Sequence, residues 1–91
     1  MDNNEPPPVP ALRCWVEGRR VWLELADQRL FSFPAAKFPL LTGAPQALLE
    51  KVALRVQGLA LRWEDLDEDI WVDDVVQGRF PRSKQLEPAS V

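Results

Sequence analysis

Residues 11–25 read Ala-Leu-Arg-Cys-Trp-Val-Glu-Gly-Arg-Arg-Val-Trp-Leu-Glu-Leu, two alternating segments around a single glycine. Apolar and polar side chains alternate in both segments with the period of a β-strand. Gly18 suits the first central position of a two-residue type II′ turn. We therefore predict a β-hairpin whose register gives compatible cross-strand neighbours. The predicted pairs are Val16 with Val21, Trp15 with Trp22, and the opposite charges Arg13 with Glu24.

A third strand follows at Leu30-Phe31-Ser32-Phe33 and is stopped by Pro34. A two-residue loop at Asp27-Gln28 would set Leu25 opposite Leu30 and Trp22 opposite Phe33. One face of this three-stranded antiparallel meander would then be aliphatic, with Leu12, Cys14, Val16, Val21, Leu23, Leu25 and Leu30. The opposite face would carry Trp15, Trp22, Phe31 and Phe33. We expect a helix or a second hairpin to cover this aromatic face; an exposed docking patch, covered by a partner or in a homodimer, is the alternative.

The remainder of the chain predicts a short helix, a second β-hairpin and a final helical turn. The helix is expected over residues 45–52, where Pro45 suits the first turn. The hairpin is expected over residues 53–63 around a Gln57-Gly58 turn, with Leu54 opposite Leu61. Residues 73–77 form the last helical turn, closed by Gly78. The fold class is therefore α+β, with residues 11–78 as a single domain.

The two ends differ from this domain in composition. Residues 1–10 contain Pro6-Pro7-Pro8-Val9-Pro10 and predict a disordered, proline-rich arm. Residues 79–91 are polar, contain two further prolines, and predict a flexible tail.

The composition narrows the classes of function. The chain has 91 residues, no histidine, no tyrosine and one cysteine, Cys14. The commonest general base and metal ligand is therefore missing, and the lone thiol has no imidazole to activate it. The four glycines are scattered singly, so no phosphate-binding loop is present. We predict a protein that is not an enzyme and that needs neither cofactor nor metal.

The amino-acid composition also indicates where in the cell the protein is located. A single cysteine allows no disulfide within the chain, and no apolar run approaches the length of a bilayer span. Acids stand near Met1 where a signal peptide would carry basic residues. We expect a cytoplasmic protein without membrane contact.

Seven of the fourteen acids fall in residues 64–74, where no basic residue stands. Because the net charge is −3, the rest of the chain carries +4 (−3 minus −7). Turn and cap chemistry is one interpretation of this segment, and an acidic patch that steers a basic partner is the other. The predicted partner-binding residues are Asp65, Asp67, Glu68, Asp69 and Trp71, together with Trp15 and Trp22. A calcium loop fails because Ile70 and Val76 stand where glycine and glutamate are needed.

Arginines suggest a second class of function. Arg19, Arg20, Arg55 and Arg62 could contact phosphates, with Arg55 and Arg62 on one face of the second hairpin. A net charge of −3 and a pI near 4.8 weigh against nucleic-acid binding as the main activity. Nucleic-acid binding therefore stays the alternative to a protein-interaction module.

Four motifs between about Leu12 and Gly78 resemble the small bacterial family called domain of unknown function 2442. They are the strand–turn–strand at residues 21–29, Phe38-Pro39-Leu40-Leu41, Gly58-Leu59-Ala60-Leu61-Arg62-Trp63, and Trp63-Glu64-Asp65-Leu66-Asp67-Glu68-Asp69-Ile70. Gln28 departs from the glycine that the family usually has in its first turn. The resemblance implies an α+β fold of meander, helix and hairpin, and it carries over no catalytic or ligand residue.

Members of that family are often encoded beside another small uncharacterised domain or fused to a helix-turn-helix, an arrangement that has suggested antitoxin or regulatory roles. No helix-turn-helix fits after Gly78 here. The sequence therefore predicts a non-catalytic bacterial protein-interaction module, the antitoxin-like or regulatory member of a two-gene pair. Its partner would be a protein encoded by a neighbouring gene.

Overall fold

The computed structural model describes residues 7–81 of the chain, which form two three-stranded antiparallel sheets and short helices. The first sheet has the order β1-β2-β3 and the second β4-β5-β6, so both are meanders. The strands are β1 Ala11–Glu17, β2 Arg20–Leu25, β3 Leu30–Pro34, β4 Ala53–Arg55, β5 Ala60–Trp63 and β6 Glu68–Trp71. The α-helices are α1 Pro39–Thr42, α2 Gln46–Leu49 and α3 Val72–Val76, and Ala35–Lys37 and Glu64–Leu66 are 3₁₀ turns. The predicted α+β class is confirmed.

The first hairpin has the predicted register. Val16 lies opposite Val21, Trp15 opposite Trp22, and Arg13 opposite Glu24. Gly18 has φ of 59°, which the first central position of a type II′ turn requires.

The second turn has three residues, so the predicted pairing of β2 with β3 is wrong by one position. The Gln28 N–H donates to the Leu25 carbonyl at 2.9 Å, and Gln28 then takes φ of 77°. This is a type I turn followed by a left-handed residue, the usual three-residue hairpin loop. Gln28 thus adopts the backbone conformation for which the related family's glycine is suited. Glu24 now lies opposite Leu30, and Leu23 opposite Phe31.

The shifted register changes the two faces of the first sheet. Phe33 lies opposite Val21 on the core side and is 1% exposed. The sequence pattern had predicted it opposite Trp22, on the outer face. Phe31 moves to the core side with it, and Leu30 moves to the outer side, where it is 59% exposed. A bulge between Ala11 and Arg13 leaves Leu12 exposed instead of buried. The predicted four-membered aromatic face is therefore reduced to Trp15 and Trp22.

The connection between the sheets consists of α1 and α2 in place of the helix predicted over residues 45–52. Pro39 is the first residue of α1, and Pro45 immediately precedes α2. Leu41 and Leu49, one from each helix, are completely buried. The two helices therefore contribute single apolar side chains to the core.

The second sheet contains the predicted hairpin and one further strand. Leu54 lies opposite Leu61, as expected, and Gly58 in the turn has φ of 88°. The added strand, β6, pairs with β5 and sets Leu61 opposite Ile70. It forms because the 3₁₀ turn Glu64–Leu66 and a left-handed Asp67, with φ of 52°, reverse the chain after Trp63.

Both sheets turn one face to the same hydrophobic core. Val21, Leu23, Leu25 and Phe33 come from the first sheet, and Leu61, Trp63 and Ile70 from the second. Trp63 is the largest completely buried side chain, and its indole N–H donates to the Leu49 carbonyl at 2.8 Å. The indole therefore contributes apolar area to the core and also satisfies a carbonyl at the end of α2.

The sheets also meet through their backbones at Gly58. The Ala11 N–H donates to the Gly58 carbonyl at 2.7 Å, which ties the start of β1 to the β4–β5 turn. A Cβ at Gly58 would overlap the Ala11 carbonyl oxygen. Only glycine permits this close approach.

The described parts of the predicted arm and tail lie against the domain. Val9 and Phe80 pack on the core, and the Pro10 carbonyl accepts from the Ala26 N–H at 2.9 Å. The rest of the predicted arm, residues 1–6, and of the predicted tail, residues 82–91, falls outside the described residues. No helix within residues 7–81 has both the length and the apolarity to cross a membrane.

We expect Gly58→Ala to destabilise the fold much more than Gly18→Ala. Both glycines have positive φ, so each substitution costs about 1 kcal/mol of backbone strain. Only at Gly58 does the new methyl group meet the backbone of β1, which adds roughly 1–3 kcal/mol. Urea unfolding of the two variants measures the difference; equal losses would show that the Ala11–Gly58 contact is not a close one.

Candidate functional site

The acidic segment is organised around Arg62, which stands on β5 opposite Asp69 of β6. The guanidinium donates to Asp69 at 2.8 Å, to Asp67 at 3.0 Å and to Glu64 at 3.2 Å. Hydrogen bonds to Glu64, Asp69 and Asp67 raise the pKa of Arg62 above its already high ordinary value, so the group stays charged. The predicted acidic surface and the predicted arginine hairpin are therefore parts of one ion-pair cluster.

Arg19 has a structural role that the sequence analysis missed. Its guanidinium donates to the carbonyls of Leu41 and Thr42, both at 3.0 Å, and of Ala44 at 2.9 Å. These carbonyls lie at the end of α1, where the helix leaves acceptors without intrahelical donors. A residue predicted to contact phosphate thus anchors α1 to the first hairpin. No local pattern could indicate this, because more than twenty residues separate the arginine from the carbonyls.

The other two arginines are also engaged with this chain. Arg20 donates to the Ser32 hydroxyl at 3.0 Å across the first sheet. Arg55 approaches Glu64 at 3.9 Å and donates to the Leu54 carbonyl at 3.1 Å. The four arginines proposed for nucleic-acid contact are therefore spread over two sheets, and each has partners within the chain.

The predicted partner-binding acids are divided between two sides of the second sheet. Asp69 and Trp71 alternate with Glu68 and Ile70 along β6, so they point away from the core, and Asp67 joins them through Arg62. Glu68 lies on the core side, opposite Trp63. Burial raises the pKa of Glu68, and the nearby charges of Asp69 and Asp67 act in the same direction.

Asp65 lies apart from these residues, in the 3₁₀ turn, where it pairs with Lys51 at 3.4 Å. Lys51 belongs to the connection between α2 and β4, so this ion pair links that connection to the 3₁₀ turn. Asp65 and Glu68 are therefore separated from the acids that surround Arg62.

Trp71 is the most exposed of the four tryptophans, with 55% of its surface open to solvent. It borders a hollow of about 250 Å³ that is also lined by Pro8, Leu59, Asp73 and Asp74. The lining is apolar at Pro8, Leu59 and Trp71 and acidic at the start of α3. We call Trp71, Asp67, Asp69, Asp73 and Asp74 the Trp71 surface.

Asp73 and Asp74 already hold a guanidinium from this chain. Arg79 donates to Asp74 at 3.0 Å and to Asp73 at 2.9 Å, and these hydrogen bonds raise its pKa. The Trp71 surface thus contains two groups of carboxylates, each of which binds an arginine side chain. Asp67 is still 90% exposed and Asp69 62%, which leaves acceptor oxygens open to solvent.

Trp15 and Trp22 lie on the outer face of the first sheet and stack on each other. Their ring centroids are 6.1 Å apart and their planes differ by 8°. The Arg13 guanidinium lies 4.7 Å from the Trp15 centroid and pairs with Glu24 at 2.7 Å. We call the six outward residues of β1 and β2 the tryptophan face. They are Arg13, Trp15, Glu17, Arg20, Trp22 and Glu24.

Cys14 packs on the core side of β1, and burial raises the pKa of its thiol. The thiol is therefore protonated at neutral pH and is a poor nucleophile. Across residues 7–81, no three acidic or thiol side chains are grouped so that they could hold a metal ion.

The sequence of residues 15–81 matches the family described as "Protein of unknown function (DUF2442)". The chain belongs to this family. The resemblance inferred from the four motifs is confirmed, and the match runs from the middle of β1 to the residues after α3. No curated protein matches the chain.

Two solved structures have a fold similar to that of this DUF2442 chain. The crystal structure of a protein of unknown function from Rhodospirillum rubrum has a TM-score of 0.78 and 28% identity, and the match covers 86% of this chain and 96% of that one. The NMR structure of an uncharacterised protein from Chromobacterium violaceum has a TM-score of 0.69 and 20% identity, over 85% of this chain and 72% of that one. The second likeness concerns the fold alone.

We expect Glu68→Gln to stabilise the protein at neutral pH. The pKa of Glu68 is raised in the folded state, so its contribution to stability is present in acid and is lost as the pH rises through that raised pKa. Glutamine removes the cost of burying the charge at neutral pH. The gain should vanish below the ordinary glutamate pKa of about 4.3, where Glu68 of the wild type is protonated in both the folded and the unfolded state.

Urea unfolding at neutral and acidic pH tests this expectation, with Glu17→Gln, at the exposed end of β1, as the control. A gain for Glu68→Gln that stays constant across the pH range would contradict the proposed cause.

Proposed function

We propose that this protein is a non-catalytic interaction module that binds a basic segment of another protein on the Trp71 surface. The exposed indole of Trp71, flanked by carboxylates that already hold guanidinium groups, is the observation that carries this proposal. In this view the protein is the regulatory, antitoxin-like member of a bacterial two-gene pair and acts in the cytoplasm. The genetic part of the proposal rests on the family resemblance.

The chemistry of the Trp71 surface suits arginine or lysine side chains. An indole face attracts a cation, and the apolar hollow accepts the aliphatic part of a long basic side chain. The carboxylates of Asp73 and Asp74 bind Arg79 through two separate hydrogen bonds. An incoming arginine can compete for the same oxygens, whose geometry already fits a guanidinium.

The net charge of the segment also favours a basic partner. Six of the seven acids of residues 64–74 pair with Arg62, Arg55, Lys51 or Arg79, and Glu68 lies on the core side. The seven acids and these four cations together leave three negative charges (−7 plus 4). A surplus of one sign attracts an oppositely charged partner and speeds encounter at low salt. It also repels a nucleic-acid backbone, which weighs against the alternative function.

The absence of histidine and of a reactive thiol supports a binding role. The chain has no histidine, and its one cysteine is a partly buried thiol with a raised pKa. The surface residues described above bind through charge and apolar contact, which requires none of the missing groups.

We expect Trp71→Ala to weaken the complex with the product of a neighbouring gene about thirtyfold, because a central tryptophan typically contributes about 2 kcal/mol or more to an interface. Leu40→Ala is the matched control, since Leu40 on α1 is 52% exposed and lies on a separate element. Co-expression followed by affinity purification and calorimetry measures the effect.

Asp67→Asn combined with Asp69→Asn should reduce binding and its dependence on salt. A complex that tolerates both Trp71→Ala and the double asparagine variant would contradict docking on the Trp71 surface. Failure of every neighbouring gene product to bind would contradict the two-gene proposal.

A further inference from the structure

The tryptophan face has a charge pattern that the proposed function does not use. The register of β1 and β2 arranges its six residues in three cross-strand rows. The rows are Arg13 with Glu24, Trp15 with Trp22, and Glu17 with Arg20. The charges alternate at the corners and cancel, and the aromatic pair occupies the centre.

This pattern is complementary to itself. If a second copy is turned by a half-rotation about an axis across the strands, its face meets the first with the row order reversed. Arg13 then lies opposite the partner's Glu17, and Glu24 opposite the partner's Arg20. Each tryptophan meets the same tryptophan of the partner, so every contact among these six residues is either opposite in charge or aromatic.

The same rotation brings the third strand into the contact. Leu30 and Pro34 lie on the outer face in line with Glu24 and Arg20, respectively. After reversal, Leu30 of one copy meets the partner's Pro34. Leu30 is 59% exposed in the single chain, so its burial against proline adds apolar area to the contact. All three strands of one copy then overlap all three of the other.

We propose that the tryptophan face is the interface of a weak two-fold homodimer, formed by stacking the first sheets of two copies. The zero net charge of the face favours a second copy over a nucleic acid, which needs a positive surface. Packing two sheets face to face about 10 Å apart is a common arrangement in proteins. The contact consists of only about nine side chains per copy, so it belongs to the small, transient interfaces.

The central side chains of the tryptophan face are already ordered in the single chain. Trp15 and Trp22 stack nearly parallel, and the Arg13 guanidinium lies over the Trp15 ring. Arg13 and Arg20 are both held by hydrogen bonds, to Glu24 at 2.7 Å and to Ser32 at 3.0 Å. Little side-chain entropy is lost when groups that are already ordered form an interface.

Charge reversal across the interface tests the proposal. We expect sedimentation velocity of the full chain at low salt to show dimers between about 10 µM and about 1 mM, the range of small interfaces. Arg13→Glu alone and Glu17→Arg alone should each shift dissociation to at least tenfold higher concentration. An equimolar mixture of these two variants should restore the dimer, because each new charge then meets its opposite.

Two controls separate the dimer from effects on folding. Arg13→Glu combined with Glu24→Arg in one chain keeps the cross-strand ion pair but places like charges across the interface, so this variant should be folded and monomeric. A mixture of Arg13→Glu with Glu24→Arg chains should stay monomeric for the same reason. Circular dichroism and thermal unfolding confirm that each variant is folded.

Several results would overturn the proposal. The wild type could stay monomeric at about 1 mM, or dimerise equally well with Arg13→Glu. Rescue by the Arg13→Glu and Glu24→Arg mixture instead of the Glu17→Arg one would exclude the axis across the strands.

Discussion

The two sheets must share one hydrophobic core, and this constraint governs the rest of the structure. Each sheet has three short strands and one apolar face, which must be buried against another element. Trp63 fills the middle of the common core and holds the end of α2 by a hydrogen bond, while Gly58 lets the backbone of one sheet touch the other. Because both inner faces are buried in this way, it is the outer faces of the sheets that are open to other molecules.

The charges on those outer faces are largely balanced within the chain. Arg62 forms ion pairs with three carboxylates of the acidic segment, and Arg79 forms ion pairs with two more. The pattern that suggested competing acidic and basic functions is therefore one network with a small negative surplus. In the proposed function, its exposed oxygens and the indole of Trp71 bind the basic groups of a partner.

The two outer faces differ in chemistry although both contain tryptophan. On the second sheet, Trp71 stands beside carboxylates and a hollow, an acidic surface that suits the proposed basic partner. On the first sheet, Trp15 and Trp22 lie in the centre of a neutral, alternating pattern that matches a second copy of itself. The two proposed interfaces, one for a foreign partner and one for self-association, therefore use different residues.

The sequence by itself determined the α+β class, the family, the register of the first hairpin and the pairing of Leu54 with Leu61, because alternation and turn residues act over short distances. It did not determine the loop at Gln28, since glutamine, unlike the glycine usual in the family, does not itself favour a left-handed conformation. One extra loop residue moved Phe33 into the core. Only the tertiary structure decided that Arg19 caps α1, that Arg62 gathers its carboxylates and that Glu68 faces inward. Each of these depends on neighbours brought together by the shared core, and local patterns carry no information about such contacts.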